Sequence, residues 1–322
     1  MNTTASFLVP VQEDLLAVEA LMRSQADGYH PDLEAAMELI INAGGKRIRP
    51  ALTILAGRML GADQEKNLFV ASAIELLHTA TLVHDDLIDG SLLRRGMPTL
   101  NSKWSPGATV LTGDFMFARA AKLAADTSSV AVIKLFSKTL TIIVNGEISQ
   151  LLGSRCKADR ENYLKRIYAK TASLFETAAS SAALLSEVDE NIIEAMRCYG
   201  HQIGMAFQII DDILDFTGEQ ATIGKPVGSD LRQGIVTLPA IVFAEKHPGD
   251  PLARALCESK CLDDEQITDL IGLIRQSDAI QSSHQEAITF VERGLASLRL
   301  TGSSPERFAL EELANYIVER KF

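Results

Sequence analysis

The sequence predicts an all-α protein, and three observations carry that prediction. Long segments repeat their apolar residues with the 3.6-residue helical period, they are rich in Ala, Leu, Ile, Glu and Met, and alternating strand patterns are missing. Segment 31–43 is representative: Leu33, Met37, Leu39, Ile40 and Ile41 supply an apolar side, Gly44 stands where a helix caps, and Pro50 suits the first turn of the next helix. The same reading predicts helices near 11–27, 50–60, 65–90, 106–125, 128–152, 160–185, 189–217, 229–246, 263–276, 281–297 and 304–320. Many are apolar on more than one side, as the inner helices of a large bundle are. No linker rich in Pro, Gly or Ser divides the chain, so residues 1–322 are expected to form one domain.

Composition narrows the function. At 322 residues and 47% hydrophobic content the chain can fill a sizeable core. A net charge of −11 argues against a general nucleic-acid or anionic-membrane binder, which would need surplus Lys and Arg. Cys156, Cys198, Cys257 and Cys261 form no CxxC pair and are read as thiols, with no clustered histidine to complete a zinc site. Polar residues break up the first thirty positions, so neither a secretory nor a transit peptide is read there, and the cytoplasm is the expected compartment. The most apolar stretch, from Val130, is broken by Lys134, Lys138 and Asn145, so membrane contact is expected to be peripheral at most.

Two segments echo each other, HTATLVHDDLID ending at Asp89 and GMAFQIIDDILD ending at Asp215. Each is apolar and helical until aspartates interrupt it, and basic residues follow soon after, at Arg94 and Arg95 and at Lys225. In a helix, Asp85 and Asp89 lie on one face, with Asp86 beside them, and Asp211, Asp212 and Asp215 repeat the spacing. Carboxylates so crowded in apolar helices repel one another, and a divalent cation resolves the repulsion. Oxygen-only ligands select Mg²⁺, Mn²⁺ or Ca²⁺ over zinc, and few protein ligands per ion suit Mg²⁺ that also holds water and substrate phosphates. A lone DDxxD could be a solvated helix end; two in matching apolar contexts point to a metal and a di- or triphosphate.

Seven stretches from Gly44 to Pro239 resemble, in order, the motifs of the trans-isoprenyl diphosphate synthases, especially the bacterial medium- and long-chain members. They are GGKRIRP at 44–50, ELLHTATLVHDDLID at 75–89, RRGMPT at 94–99, GDF at 113–115, Lys170-Thr171, FQIIDDILD at 207–215 and GKPVGSDLRQGIVTLP at 224–239. The resemblance implies a single helical bundle of the isoprenoid synthase fold, with two diphosphate pockets facing each other across a cavity. It assigns Lys46, Arg49, His78 and Arg95 to the metal-free diphosphate pocket of isopentenyl diphosphate. Arg94, Lys170 and Lys225 would touch the allylic diphosphate together with about three Mg²⁺ ions on Asp85, Asp89 and Asp211. Asp86, Asp212 and Asp215 would be direct or water-mediated metal ligands, and Gln150, Thr171 and Gln208 would line the reacting centre.

Each assignment has a plainer alternative. Lys46, Arg47 and Arg49 could simply meet the C-terminal carbonyls of the preceding helix. His78 could be a hydrogen-bonded core residue, although its place seven positions before Asp85 puts it two turns back on nearly the same face.

The implied chemistry is ionisation, condensation and elimination. Cations and Mg²⁺ stabilise the charge on the departing diphosphate. The double bond of isopentenyl diphosphate, held close, attacks the allylic cation, which Gln208 and Thr171 stabilise through their dipoles. The released diphosphate is the base, so no His or Glu is nominated. Ala80 and Thr81, five and four positions before Asp85, are small where short-chain family members carry a bulky aromatic. Leu77 and Ile74 continue the same wall, with Phe136, Leu140 and Ile143 expected on a second helix and Phe136 as the floor. An all-trans product longer than the twenty-carbon geranylgeranyl chain is therefore expected.

The sequence departs from the family pattern at Gly234-Ile235-Val236-Thr237-Leu238-Pro239, where a lysine often follows the glycine, and Arg232 is the candidate replacement. Arg320-Lys321 reads as a solvated basic tail, with closure over the isopentenyl diphosphate pocket as the alternative. Terpene cyclases and head-to-head synthases would not need GGKRIRP and His78; a regulatory subunit typically has one degraded aspartate cluster; a calcium scaffold leaves the flanking cations without purpose. The resemblance implies a homodimer.

Overall fold

The computed structural model describes residues 5–94, 96–153, 155–218 and 227–320. Helices dominate, as the periodicity requires. They are α1 (Gln12–Ser24), α2 (Pro31–Asn42), α3 (Ile48–Leu60), α4 (Gln64–Ile88), α5 (Pro106–Asp126), α6 (Val130–Leu152), α7 (Arg160–Ile167), α8 (Ser173–Leu184) and α9 (Glu190–Thr217). After these come α10 (Ser229–Arg232), α11 (Leu238–Lys246), α12 (Pro251–Cys257), α13 (Asp264–Gln276), α14 (Ala279–Leu298) and α15 (Pro305–Glu319). No described helix is long and apolar enough to cross a membrane.

Starts and stops follow local chemistry. Asp63 accepts from the Lys66 amide to cap α4, and Asp263 and Gln266 form a reciprocal capping box on α13. Gly44, at φ +74°, takes the left-handed conformation that ends α2.

The chain divides into two compact units. One comprises Met1–Thr139, Leu174–Arg197 and Leu298–Glu312, and the other Leu140–Ser173, Cys198–Ser297 and Leu313–Phe322. In the first unit α4 packs along α5 and against α3 and α1, burying Ile74, Leu76, Leu77 and Ala80. In the second, α11 packs on α7, α12 and α13, and α10 also meets α13.

Four features differ from the sequence reading. The helix expected over 229–246 is two helices, α10 and α11, because the chain turns at Gly234 (φ +77°) and Pro239 restarts it in the first turn of α11. Helix α12 was not expected. At the RRGMPT stretch lies a short antiparallel ribbon, in which β1 (Leu93–Arg94) pairs with β2 (Met97–Pro98). Cys156 and Cys261 are joined in a disulfide rather than present as thiols, which fastens the segment after α6 to the segment before α13; Cys198 and Cys257 are free.

Candidate active site

The first unit carries the first aspartate cluster at the end of α4. Asp85 is half-buried, Asp86 is buried and Asp89 is exposed. The ribbon places Arg94 back over the helix end, where its Nε lies 3.0 Å from both Asp86 oxygens and its Nη2 lies 2.8 Å from Oδ1. A planar guanidinium suits this bidentate grip. Asn101 Nδ2 donates to the Asp86 carbonyl and Thr99 Oγ1 to the Ser91 carbonyl, so the whole connection is pinned to the cluster. Arg95 lies outside the described residues.

The GGKRIRP segment enters α3 through Arg47, whose φ is 49°. Arg47 donates from Nε to Glu19 and from Nη1 to Glu75, each at 2.8 Å, and from Nη2 to the Ile41 carbonyl. The carbonyl-capping alternative thus holds for Arg47. Its salt bridge to Glu75 fastens the basic segment to α4 one turn before His78. Lys46 is exposed; Arg49 and His78 are half-buried, with the Arg49 guanidinium 4.7 Å from the Phe175 ring centre.

The second unit carries the second cluster on α9, and its three carboxylates have three different partners. Asp211 Oδ1 accepts from Arg320 Nη2 at 2.7 Å. Asp212, only 3% exposed, accepts from the Tyr163 hydroxyl at 2.7 Å and from Gln208 Nε2 at 2.8 Å. Asp215 accepts from the backbone amides of Ser229 and Asp230. Burial pushes the Asp212 carboxyl up to about 8, assisted by the charge of Asp230 and opposed by Gln208, Tyr163 and Arg166. Burial, followed by the charge of Asp212, drives the Tyr163 phenol well above its ordinary value, so it remains an O–H donor at neutral pH.

Lys170 and Thr171 lie in a π-helical turn, Tyr168–Ala172, between α7 and α8. Such turns insert an extra residue and redirect side chains, and they recur at functional sites. Thr171 Oγ1 donates to Gln208 Oε1 at 2.6 Å, and Lys170 Nζ pairs with Glu147 at 2.8 Å. Gln150 follows Glu147 by one turn of α6 and is half-buried. The approach of α6 to the π-turn depends on Gly146, where a Cβ would stand 2.5 Å from the Ala169 Cβ. Lys225 lies outside the described residues.

One sequence reading is corrected. Arg320 is not a solvated tail residue: its side chain is 9% exposed, lies 4.4 Å from the Phe207 ring centre and keeps Nε and Nη1 buried without a protein partner. Arg232, the candidate for the missing lysine's contact, donates to Asp264 and Thr268 on α13. Tyr163 and Glu147 were missed, since neither lies in a motif and both look like ordinary helix residues.

Among the described residues, no group of three His, Cys, Asp or Glu side chains is placed to hold a metal ion. The donors available are carboxylate oxygens, so a hard cation that draws its other ligands from water and phosphate fits them, whereas a closed zinc cage does not. Of the residues expected along the product tunnel, Ile74, Leu77, Ala80, Phe136 and Ile143 are buried, while Thr81 and Leu140 keep some exposure.

The family model described as Polyprenyl synthetase matches residues 30–274. The prenyl transferase of Synechocystis is 37% identical, with 99% of each chain covered. Component 2 of the heptaprenyl diphosphate synthase of Geobacillus stearothermophilus is 38% identical, with 97% of each covered. Among solved structures, a polyprenyl synthase from Caulobacter crescentus, in complex with calcium and isoprenyl diphosphate, superposes with a TM-score of 0.90 at 34% identity over 99% of both chains. The chain therefore belongs to the polyprenyl synthetase family, has the isoprenoid synthase fold and is a chain-elongating prenyltransferase.

Proposed function

We propose that the protein lengthens an allylic diphosphate with isopentenyl diphosphate, by ionisation, condensation and elimination, to an all-trans polyprenyl diphosphate longer than twenty carbons. The observation that carries this reading is the pairing of both intact aspartate clusters with basic side chains, Arg94 on Asp86 and Arg320 on Asp211. Carboxylates with adjoining cations are what a metal–diphosphate complex requires; a calcium scaffold requires only the carboxylates. The heptaprenyl relative supports a long product.

Asp85, Asp89 and Asp211 would hold Mg²⁺, which would supply positive charge for the leaving diphosphate; the Caulobacter relative was crystallised with calcium and isoprenyl diphosphate. Arg94, Lys170 and Lys225 bind the same diphosphate. Asp86 orients Arg94 and Glu147 orients Lys170, so both cations are held in place before the substrate arrives. Lys46, Arg49, His78 and Arg95 hold isopentenyl diphosphate, and Gln150, Gln208 and Thr171 face the allylic carbons. The product advances past Thr81, Ala80, Leu77 and Ile74, with Phe136, Leu140 and Ile143 along its other side. The whole chain acts as one catalytic domain, as a homodimer in the cytoplasm, touching membrane only to release its product.

The test is purified protein with Mg²⁺, labelled isopentenyl diphosphate and, separately, dimethylallyl, geranyl, farnesyl and geranylgeranyl diphosphates, with products sized by chromatography. Products beyond twenty carbons that disappear with EDTA support the proposal. Shorter products reject the open tunnel. No product rejects autonomous catalysis and favours a subunit that needs a second component, as the Geobacillus relative's name implies for that protein.

A further inference from the structure

We infer that Tyr163, outside every motif of the sequence, is a positioning residue for the allylic ionisation step. This rests on the prenyltransferase reading of the same site.

An amide side chain has a donor end and an acceptor end of nearly identical shape, so its neighbours decide which end points where. Gln208 Nε2 donates to Asp212 Oδ1, one helical turn further along α9, and Gln208 Oε1 accepts from the Thr171 hydroxyl. Both Asp212 oxygens accept here, Oδ1 from Gln208 Nε2 and Oδ2 from the Tyr163 hydroxyl, and an accepting Oδ1 selects this orientation of the amide over the flipped one. With its proton committed to Gln208, the Thr171 oxygen offers lone pairs, and both oxygens carry partial negative charge suited to a developing cation.

Asp212 can select only if it is itself fixed, and Tyr163 fixes it. The Tyr163 hydroxyl donates to the second oxygen, Oδ2, and the ring is 1% exposed. The Arg166 guanidinium lies 5.5 Å from the ring centre and is anchored in turn on the Val236 carbonyl at 2.7 Å. Tyr163, Asp212, Gln208 and Thr171 thus form one directed chain of hydrogen bonds from the core to the π-turn. Without the phenol, Asp212 loses a partner in a place where water has little access, and its carboxylate is free to rotate away from Gln208. Asp212 thereby differs from Asp211 and Asp215: its two oxygens serve Gln208 and Tyr163, and its effect on the reaction runs through Gln208.

The experiment is a double-mutant cycle with Tyr163→Phe and Gln208→Ala, each assayed with Mg²⁺, labelled isopentenyl diphosphate and farnesyl diphosphate. Thermal unfolding is followed in parallel. Tyr163→Phe keeps the ring and should lower kcat by about tenfold or more while leaving KM for both diphosphates within about twofold. In the Gln208→Ala background the same substitution should change kcat by less than about twofold, because the group through which it acts is gone. Full kcat in Tyr163→Phe, losses that multiply independently, or a lowered Tm with unchanged kcat per folded molecule would each overturn the inference and leave Tyr163 as core packing. A wild-type protein without product would instead overturn the functional reading beneath it.

Discussion

Substituting Ala80 by Phe tests the tunnel most directly, because α4 provides the ruler. Ala80 stands five residues before Asp85, about 7.5 Å along the axis, or rather less than one and a half turns. One turn rises about 5.4 Å, comparable with an extended isoprene unit, so a ring at this level leaves room for few further condensations. Ala80→Phe should therefore confine products to about C20 or less, whereas the wild type passes that length. The side chain of Ala80 has no exposed surface, so the ring must enter the product path or force its way between packed helices. The two outcomes differ in stability. Overpacking a core costs about 1–3 kcal/mol and should lower Tm by several degrees, with no reason for the surviving enzyme to change its product. A ring that turns into the path shortens the product at little cost in Tm. Thr81→Phe, at a half-buried position one turn before Asp85 on the same face, should act in the same direction. The assay is product sizing by mass spectrometry beside thermal unfolding. Wild-type product lengths in both variants would discard the tunnel wall assigned to α4.

Three further expectations follow from contacts outside the carboxylate clusters. Gly146→Ala should displace α6 from the π-turn, since its Cβ would come within 2.5 Å of Ala169, and the shift of Lys170 and Thr171 should lower kcat by tenfold or more, about 10² for an ångström of misplacement; unchanged steady-state kinetics would refute it. Arg47→Met leaves Glu75 buried without its cation and should cost about 3–5 kcal/mol in denaturant unfolding, whereas a loss below about 1 kcal/mol would show that the pair contributes little. Cys156→Ser opens a link between residues 105 apart, for which loop-closure entropy sets a scale of about 4.7 kcal/mol, so this variant and the dithiothreitol-treated wild type should share a lowered Tm.

What the sequence made legible is the chemistry that needs particular residue types at fixed spacing. Asp85, Asp86 and Asp89 announce themselves because three carboxylates in an apolar helix are costly without a reason, and the second cluster on α9 repeats the anomaly. Long helices were legible because burying one side imposes a period that survives any detail of packing. Elements of a few residues leave no such period. Helix α12 has only seven residues and was signalled by Asp250-Pro251, an N-cap followed by proline, a start signal that could have been read. The break between α10 and α11 was signalled by Gly234 and Pro239, but the apolar run between them masked it.

Supporting residues are hidden for a different reason. Tyr163 matters through a partner 49 positions away, Glu147 through one 23 away and Arg320 through one 109 away. A disulfide between Cys156 and Cys261 likewise joins segments whose local sequence says nothing of each other. Only the folded chain brings these pairs together, and each then changes how a motif residue is understood. Asp212 was grouped with Asp211 and Asp215 because spacing was the evidence for all three. Once its oxygens are seen to be engaged by Tyr163 and Gln208, the equivalence ends. Asp211 holds a cation, Arg320, Asp215 accepts the amides of Ser229 and Asp230, and Asp212 aims an amide. The DDxxD pattern on α9 thus records three different jobs at one spacing, and substitutions in it should separate in their kinetics: Asp211→Asn in its demand for metal, and Asp212→Asn in kcat.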